Sequence, residues 1–269
     1  MIRRTILAGL ATAALTSATL ALAGPAHAAD SSDSCTITAI VPHRVVIGIT
    51  GQQVQFGLKT TCDDQDIKFA VWGAGIATSA HTFWFTACNY DLHPGPTNFN
   101  CNDEGTGIIN PIGGRYEGYD FIPGNDIAGP NAIHASGFVD ANHSNEQDAG
   151  DVSLGNLDST ITLLRQTQFD GTFDATPEPV HKGKHLKVSA TLSTADWNDG
   201  VWAGVDAPVK IQFKAAGQNH YKTVKTVTAT AGQVDTTVTA THSGSWRASY
   251  AGSDTIAAST SNSDYVKVK

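Results

Sequence analysis

"DATPEPVHKGKHLKVSATL", residues 174–192, is the stretch that decides the fold. After the Pro177-Glu178-Pro179 interruption and a Lys182-Gly183 turn, the chain alternates. Leu186, Val188, Ala190 and Leu192 take one side, and Lys187, Ser189 and Thr191 the other. A period of two marks a half-buried β-strand. Proline has no backbone N–H, so the two prolines end an edge strand ("GTFDA", 171–175) and block its pairing with another chain. The stretch reads as the entry to a domain that begins near Phe169–Gly171.

Downstream the same alternation recurs in "PVKIQFKA", "YKTVKTVTA", "QVDTTVTAT", "SWRASYAG" and "DYVKVK". About seven short strands with turn signals every 8–12 residues predict an immunoglobulin-like sandwich. In "SGSWRASY" a turn glycine precedes an aromatic, which places Trp246 where a tyrosine corner would stand. "STADWNDGVWAGVD" reads as a connection between strands, on which Trp197 and Trp202 could stand exposed. Upstream, "VQFGLKTTC", "IKFAV", "HTFWFTAC" and "STITLLR" alternate as well. Between Asn89 and Asn131 the chain is rich in Gly, Pro and Asn and reads as a long irregular insert.

The chain begins "MIRRTILAGLATAALTSATLALAGPAHAAD". Arg3 and Arg4, an apolar run and Ala26-His27-Ala28 predict a signal peptide cleaved after Ala28. No later stretch has the roughly 20 apolar residues of a membrane span. The expectation is an all-β protein: two immunoglobulin-like β-sandwich domains in tandem after a cleaved signal peptide (1–28), over residues 29–170 and 171–269.

Charge separates the halves. Residues 29–170 carry five basic and seventeen acidic side chains, residues 171–269 ten and eight, in a chain of formal charge −8. The acidic half repels phosphate backbones, which argues against a nucleic-acid partner. It suits solubility or a cation. All four cysteines, Cys35, Cys62, Cys88 and Cys101, lie in that half. An even count in an exported chain implies disulfides, and three connectivities exist. Zinc lacks support, since no pair has Cys-x-x-Cys spacing. Symmetry about the Gly48–Gly51 turn favours Cys35–Cys62, and loop closure favours Cys88–Cys101. The charge break and the one-sided cysteines lead us to expect halves that unfold separately.

Residues 173–269 resemble a domain that recurs in secreted proteins of actinobacteria. The likeness runs through "FDATPEPVHKGKHLKVSATLSTADWNDG", "VKIQFKAAGQNHYKTVKTV" and "SGSWRASYAGSDTIAASTSNSDYVKVK". The upstream "LKTTCDDQDIKFAVWG" is similar to the acidic region that precedes this domain in such proteins. The resemblance implies a non-enzymatic extracellular protein in which Trp197 and Trp202 pack on their loop, and some members are described as calcium-binding.

The sharpest candidate site is "DANHSNEQDAGD", residues 140–151. Calcium loops place oxygen ligands at positions 1, 3, 5, 9 and 12. Those positions hold Asp140, Asn142, Ser144, Asp148 and Asp151. Asn145 stands where the loop glycine belongs and Asp151 where a bidentate Glu belongs, so a solvated acidic turn is the competing reading. Asp63, Asp64 and Asp66, and Asp103 with Glu104, form lesser clusters that suit charged hairpin tips. His43, His81, His93, His134 and His143 follow no metal or catalytic pattern, and no Gly-x-Ser-x-Gly or phosphate-loop motif occurs. Trp72, Phe83, Trp84 and Phe85, with Tyr90, Tyr116 and Tyr119, could form a stacking platform for glycans, but core packing is the simpler account.

These observations predict a secreted, non-enzymatic, immunoglobulin-like binding, adhesion or spacer protein. Its partner is an extracellular protein or glycan, and it needs no cofactor. A calcium-binding extracellular protein is the alternative. A secreted hydrolase with an accessory immunoglobulin-like domain is the second, and it would require a cleft holding His with Asp or Ser.

Overall fold

The computed structural model describes residues 35–61, 67–77, 81–88, 106–109, 111, 124–144 and 147–269, with 72–77, 81–88 and 106–108 described by backbone alone. Apart from a 3-10 turn at Asn125–Ile127, every regular element among the described residues is a strand. The first nine are β1 (Ile37–Val41), β2 (Arg44–Ile47), β3 (Gln52–Gln55), β4 (Gly57–Thr60), β5 (Ile67–Ala77), β6 (His81–Cys88), β7 (Thr106–Ile109), β8 (Gly129–Val139) and β9 (Val152–Arg165).

Pro42 separates β1 from β2, and the two strands join different sheets. β1 runs antiparallel to β4, while β2 runs parallel to β9. The larger sheet has the order β2-β9-β8-β5-β6, and β3 pairs with β7. Ile40 and Val54 from the small pairs meet Val71, Ile133, Ile161 and Leu163 of the five-stranded sheet in one core. "VQFGLKTTC" is therefore two strands with different partners, divided at the buried Phe56. The insert expected between Asn89 and Asn131 is not wholly irregular. It contains β7 and the first residues of β8, whose short apolar runs "TGII" and "GPNAI" were masked by neighbouring Gly, Pro and Asn.

The second sandwich comprises β10 (Thr167–Thr176), β11 (His185–Asp196), β12 (Val201–Gly204), β13 (Ala207–Ala215), β14 (Lys222–Ala229), β15 (Gln233–Thr239), β16 (Gly244–Tyr250), β17 (Ser259–Thr260) and β18 (Asp264–Val266). In β11, Leu186, Val188 and Leu192 are fully buried, as the opening alternation demands. One sheet has the order β10-β11-β12 with β15 also on β11. The other has β14-β13-β16-β17 with β18 also on β16. The chain crosses to the second sheet at β13, returns at β15 and crosses again at β16. That Greek-key order over a shared core defines an immunoglobulin-like sandwich. β10 begins earlier than "GTFDA", at Thr167, and ends at Thr176, immediately before the prolines.

Two local expectations are corrected. Trp246 is buried against Phe213, with ring centroids 4.6 Å apart. Its indole Nε1 has no hydrogen-bond partner. A tyrosine corner works by a hydrogen bond to backbone, so Trp246 serves packing only. "STADWNDGVWAGVD" is also no plain connection. It forms the tip of a hairpin in which Asp196 pairs with Val201 and Ser193 with Gly204. Alternation was hard to see there because the tip residues are polar and the returning strand is only four residues long.

The hairpin tip carries Trp197 into the core of the first sandwich, where it is 0% exposed. Its indole N–H donates to the Ile47 and Gly48 carbonyls at 3.3 and 3.0 Å. Its backbone N–H donates to Asn125 Oδ1 at 2.9 Å, and Asn125 Nδ2 donates to Asp196 Oδ1 at 2.9 Å. The chain passes from β9 to β10 through Gln166 alone. Gln166 N–H donates to the Ile47 carbonyl at 2.8 Å, and its carbonyl accepts from Ala195 N–H at 2.8 Å. Arg165 adds backbone bonds to Thr255 and Ala257. Burial pulls the Arg165 pKa below its ordinary value, against the opposing influence of Asp196 and Tyr250. With both polar groups of the connecting residue satisfied, the junction is a fixed joint rather than a flexible linker.

Candidate functional site

The acidic stretch at 140–151 is the tip between β8 and β9, entered after Val139 pairs with Val152. Asp140 is 1% exposed, whereas residues 141–144 and 147–150 are open to solvent and Asp151 is half-buried. Its carboxylate accepts the Ser144 N–H at 3.0 Å, a bond that Asn142 Oδ1 shares at the same distance. Asp148 Oδ1 accepts Gly150 N–H at 3.1 Å. Asp148 Oδ2 accepts Asn142 Nδ2 at 2.6 Å and Ser144 Oγ at 3.3 Å. Asp151 closes the ring, accepting Ala141 N–H at 3.0 Å and Asp148 N–H at 2.9 Å. His143 turns the chain in the left-handed region, at φ 57.

All five residues singled out by spacing thus converge in one loop. Asn145 and Glu146, between them, lie outside the described residues. The convergence takes the form of self-capping: the carboxylates satisfy backbone N–H groups that a tight turn leaves without ladder partners. For a cation to take its place, Asn142 would have to turn its amide so that oxygen, not nitrogen, faced Asp148. As arranged, the loop fits a self-capped hairpin tip better than an ion cage. Among the described residues no group of three or more His, Cys, Asp or Glu is disposed to hold a metal.

The Asn142 hydrogen bond, then those of Gly150 and Ser144, holds the Asp148 carboxyl below the ordinary aspartate value of 3.8. A lowered folded-state pKa favours the charged form. Its contribution is therefore present above the unfolded value and is lost as pH falls through the folded one. A 13C carboxyl titration should place the Asp148 midpoint below 3.8. Asn142→Ala should raise it. A midpoint at or above the ordinary value in the wild type would show that the loop bonds do not form in solution.

The remaining candidates divide. Asp63, Asp64, Asp66, Asp103, Glu104, Cys62, Cys101, His93, Tyr90, Tyr116 and Tyr119 lie outside the described residues, and Cys88, Trp72, Phe83, Trp84 and Phe85 are placed by backbone only. Cys35 is disulfide-bonded. It stands two residues before β1, next to Thr36, whose carbonyl accepts the Thr61 N–H at 3.0 Å.

Sequence reasoning missed the pairing of His134 with Asp158. His134 Nδ1 stands 2.7 Å from Asp158 Oδ1, brought together by the β8–β9 register that sets His134 opposite Asp158. No motif could reveal it, because the partners are 24 residues apart and meet only through strand pairing. Asp158 is largely exposed, which leaves the pair weak. A hydrolase needs a catalytic cleft, and two surface grooves are present among the described residues. One lies beside β2 and β3, the other, of about 390 Å³, among β13 to β16. Neither brings His together with Asp or Ser. No helix among the described residues is long and apolar enough to cross a membrane.

No family model matches the chain, and no curated protein matches it. Among solved structures, three N-terminal domains of the Highly Immunogenic Outer Capsid protein (Hoc) of bacteriophage RB49 align over 87% of this chain and 71% of that chain, at 11% identity and TM-score 0.28. A marsupial T cell receptor aligns over 87% of this chain and 73% of that chain, at 9% identity and TM-score 0.30. The fold rests on the strand order given above rather than on these likenesses.

Proposed function

We propose that this is an exported, non-enzymatic immunoglobulin-like protein that serves extracellular binding, adhesion or spacing. The observation that carries the reading is the fixed joint between the sandwiches. Trp197 and Gln166 hold the two cores against one another, which is what a spacer or rigid binding arm requires. The basic, apolar and small-residue succession of residues 1–28 supports export, and the disulfide at Cys35 accords with an oxidising compartment.

Expression of the full chain in a secreting bacterial host tests this. The expected product is found outside the cytoplasm with its N-terminus at Ala29. It carries Cys35–Cys62 and Cys88–Cys101, read by non-reducing peptide mapping. Retention of residues 1–28 in a cytoplasmic product, or four free thiols, would refute export. A Cys62–Cys88 or Cys62–Cys101 link would overturn the pairing alone.

Calcium binding at the β8–β9 tip is a second reading, favoured by the convergence of Asp140, Asn142, Ser144, Asp148 and Asp151. An ion bound only by the folded form adds about 2.7 kcal/mol at a hundredfold excess over its dissociation constant. For a chain of this size that is a melting shift of roughly 5–10 °C. Asp140→Ala should abolish the shift and Asp63→Ala should leave it. A flat titration to high millimolar calcium would end this reading.

A further inference from the structure

We infer that the outer face of the β14-β13-β16 sheet is a docking surface for an acidic polysaccharide, with Arg247 and Lys214 as the seat for one carboxylate. The inference deepens the binding reading above and rests on it.

Strand alternation builds the face. In β16, Gly244, Trp246, Ala248 and Tyr250 are buried, so Ser245, Arg247 and Ser249 point outward. In β13, Val209 and Ile211 are buried while Lys210 is exposed, which sets Lys210, Gln212 and Lys214 on the same outer side. Register places Gln212 opposite Arg247, Lys214 opposite Ser245 and Lys210 opposite Ser249. Tyr265 stands opposite Ser245 on the far side and is 52% exposed. β13, β14, β16 and β17 carry no acidic residue. The one carboxylate of β18, Asp264, is turned to the Ala175 N–H at 2.9 Å.

Within the face one cation is held in place. Arg247 Nε donates to Gln212 Oε1 at 2.8 Å, and its guanidinium lies 3.8 Å from the centroid of the Tyr221 ring. Lys214 Nζ lies 5.1 Å from the same centroid. Two like charges on one ring repel each other. Among the described residues no carboxylate lies at ion-pair distance from Lys210, Lys214 or Arg247. The ring and the Gln212 amide offset part of that repulsion and fix the guanidinium plane. Its terminal N–H groups then form a fork suited to a carboxylate. A carboxylate between the two cations relieves the repulsion that the free protein carries.

The surroundings select the class of anion. Lys210 and Lys214 are each two residues along β13 from Gln212, about 7 Å at strand spacing. A row of cations at such intervals on an open sheet suits a chain polymer with repeated charges rather than one small anion. Ser245, Ser249, Thr260 and the Tyr265 hydroxyl offer hydrogen bonds and an aromatic surface to a polyhydroxylated chain. The hydroxyls and the exposed ring, rather than the cations, distinguish such a chain from a phosphate polymer, which the same charges attract.

The test is binding of the secreted full chain to polygalacturonate, followed by affinity electrophoresis and titration calorimetry at low salt, with neutral dextran and single-stranded DNA alongside. Polygalacturonate should bind, dextran should not, and DNA should bind at least tenfold more weakly. Raised salt should weaken the interaction. Lys214→Ala with Arg247→Ala should reduce affinity at least tenfold, and Arg247→Lys, which keeps charge but loses the fork, should fall between. Lys210→Glu, at an exposed position, serves should the double variant fail to fold, and it should also reduce affinity severalfold. No polygalacturonate binding, or binding unchanged in a folded variant, would overturn the inference. DNA binding as tight as polygalacturonate would reduce the face to a general polyanion surface and overturn it too. Self-association abolished by the same substitutions would reassign the face to a second copy. None of these outcomes touches export, which N-terminal sequencing decides separately.

Discussion

Trp197→Ala is expected to lower the stability of both sandwiches together, by about 3–5 kcal/mol, the range for removing a fully buried tryptophan. For a chain of this size that is a melting decrease of roughly 6–20 °C. The loss has two sources. The indole is 0% exposed within the first core, so its removal leaves a cavity among residues such as Ile47. It also deprives the Ile47 and Gly48 carbonyls of their donor. Because the backbone of Trp197 belongs to the β11–β12 hairpin, the cavity opens at the joint. The two halves, which the sequence suggests are separable, are accordingly expected to melt in one calorimetric transition in the wild type. The variant should broaden that transition or split it in two. Trp197→Phe keeps most of the packing and should cost less, with loss of the N–H worth about 1 kcal/mol. A change below 1 kcal/mol in Trp197→Ala would mean that the ring does not fill the first core.

The second large effect is expected at Gly232, in the turn between β14 and β15. Its φ is +80°, in the left-handed region. A Cβ there would lie 2.4 Å from the Leu192 carbonyl oxygen and 2.8 Å from Gly204 Cα. Both neighbours are backbone, and the Gly232 carbonyl accepts the Leu192 N–H at 2.7 Å, so neither side can retreat without breaking that bond. Left-handed strain of about 1–2 kcal/mol and overpacking of about 1–3 kcal/mol give a loss of roughly 2–5 kcal/mol for Gly232→Ala. Gly217→Ala separates the two causes. Its φ is +79°, but nothing lies within 4 Å of the added carbon. It should show the conformational part alone. Equal destabilisation by the two substitutions, measured by denaturant unfolding, would show that the close approach to Leu192 is absent in solution.

The approach of Gly232 to Leu192 was not legible in the residues, though the strands on either side of it were. In β11 the period-two pattern places Leu186, Val188 and Leu192 inside because a strand with one buried face allows no other register. The β13 and β16 segments read the same way; β14 was legible as a strand although most of it is exposed, and "HTFWFTAC" is β6 from His81 to Cys88. The convergence of Asp140, Asn142, Ser144, Asp148 and Asp151 was legible too, since all lie in one short connection. Their mutual capping was not, because ligand spacing and turn capping demand the same oxygen-bearing residues.

What the sequence by itself determined, then, is the class of structure: alternating strands, Pro and Gly punctuation, the inward sides of strands such as β11, β13 and β16, and an acidic half followed by a more basic one. These follow from local chemistry, since backbone period and turn preference act over a few residues. Tertiary structure alone decided which strands pair, that Trp197 from one sandwich fills the core of the other, that His134 meets Asp158, and that Arg247, Lys214 and Tyr221 gather on one face. Each of these joins residues distant in the chain. Their contact depends on sheet order and register, which arise from the combined packing of two cores and leave no mark at any single position.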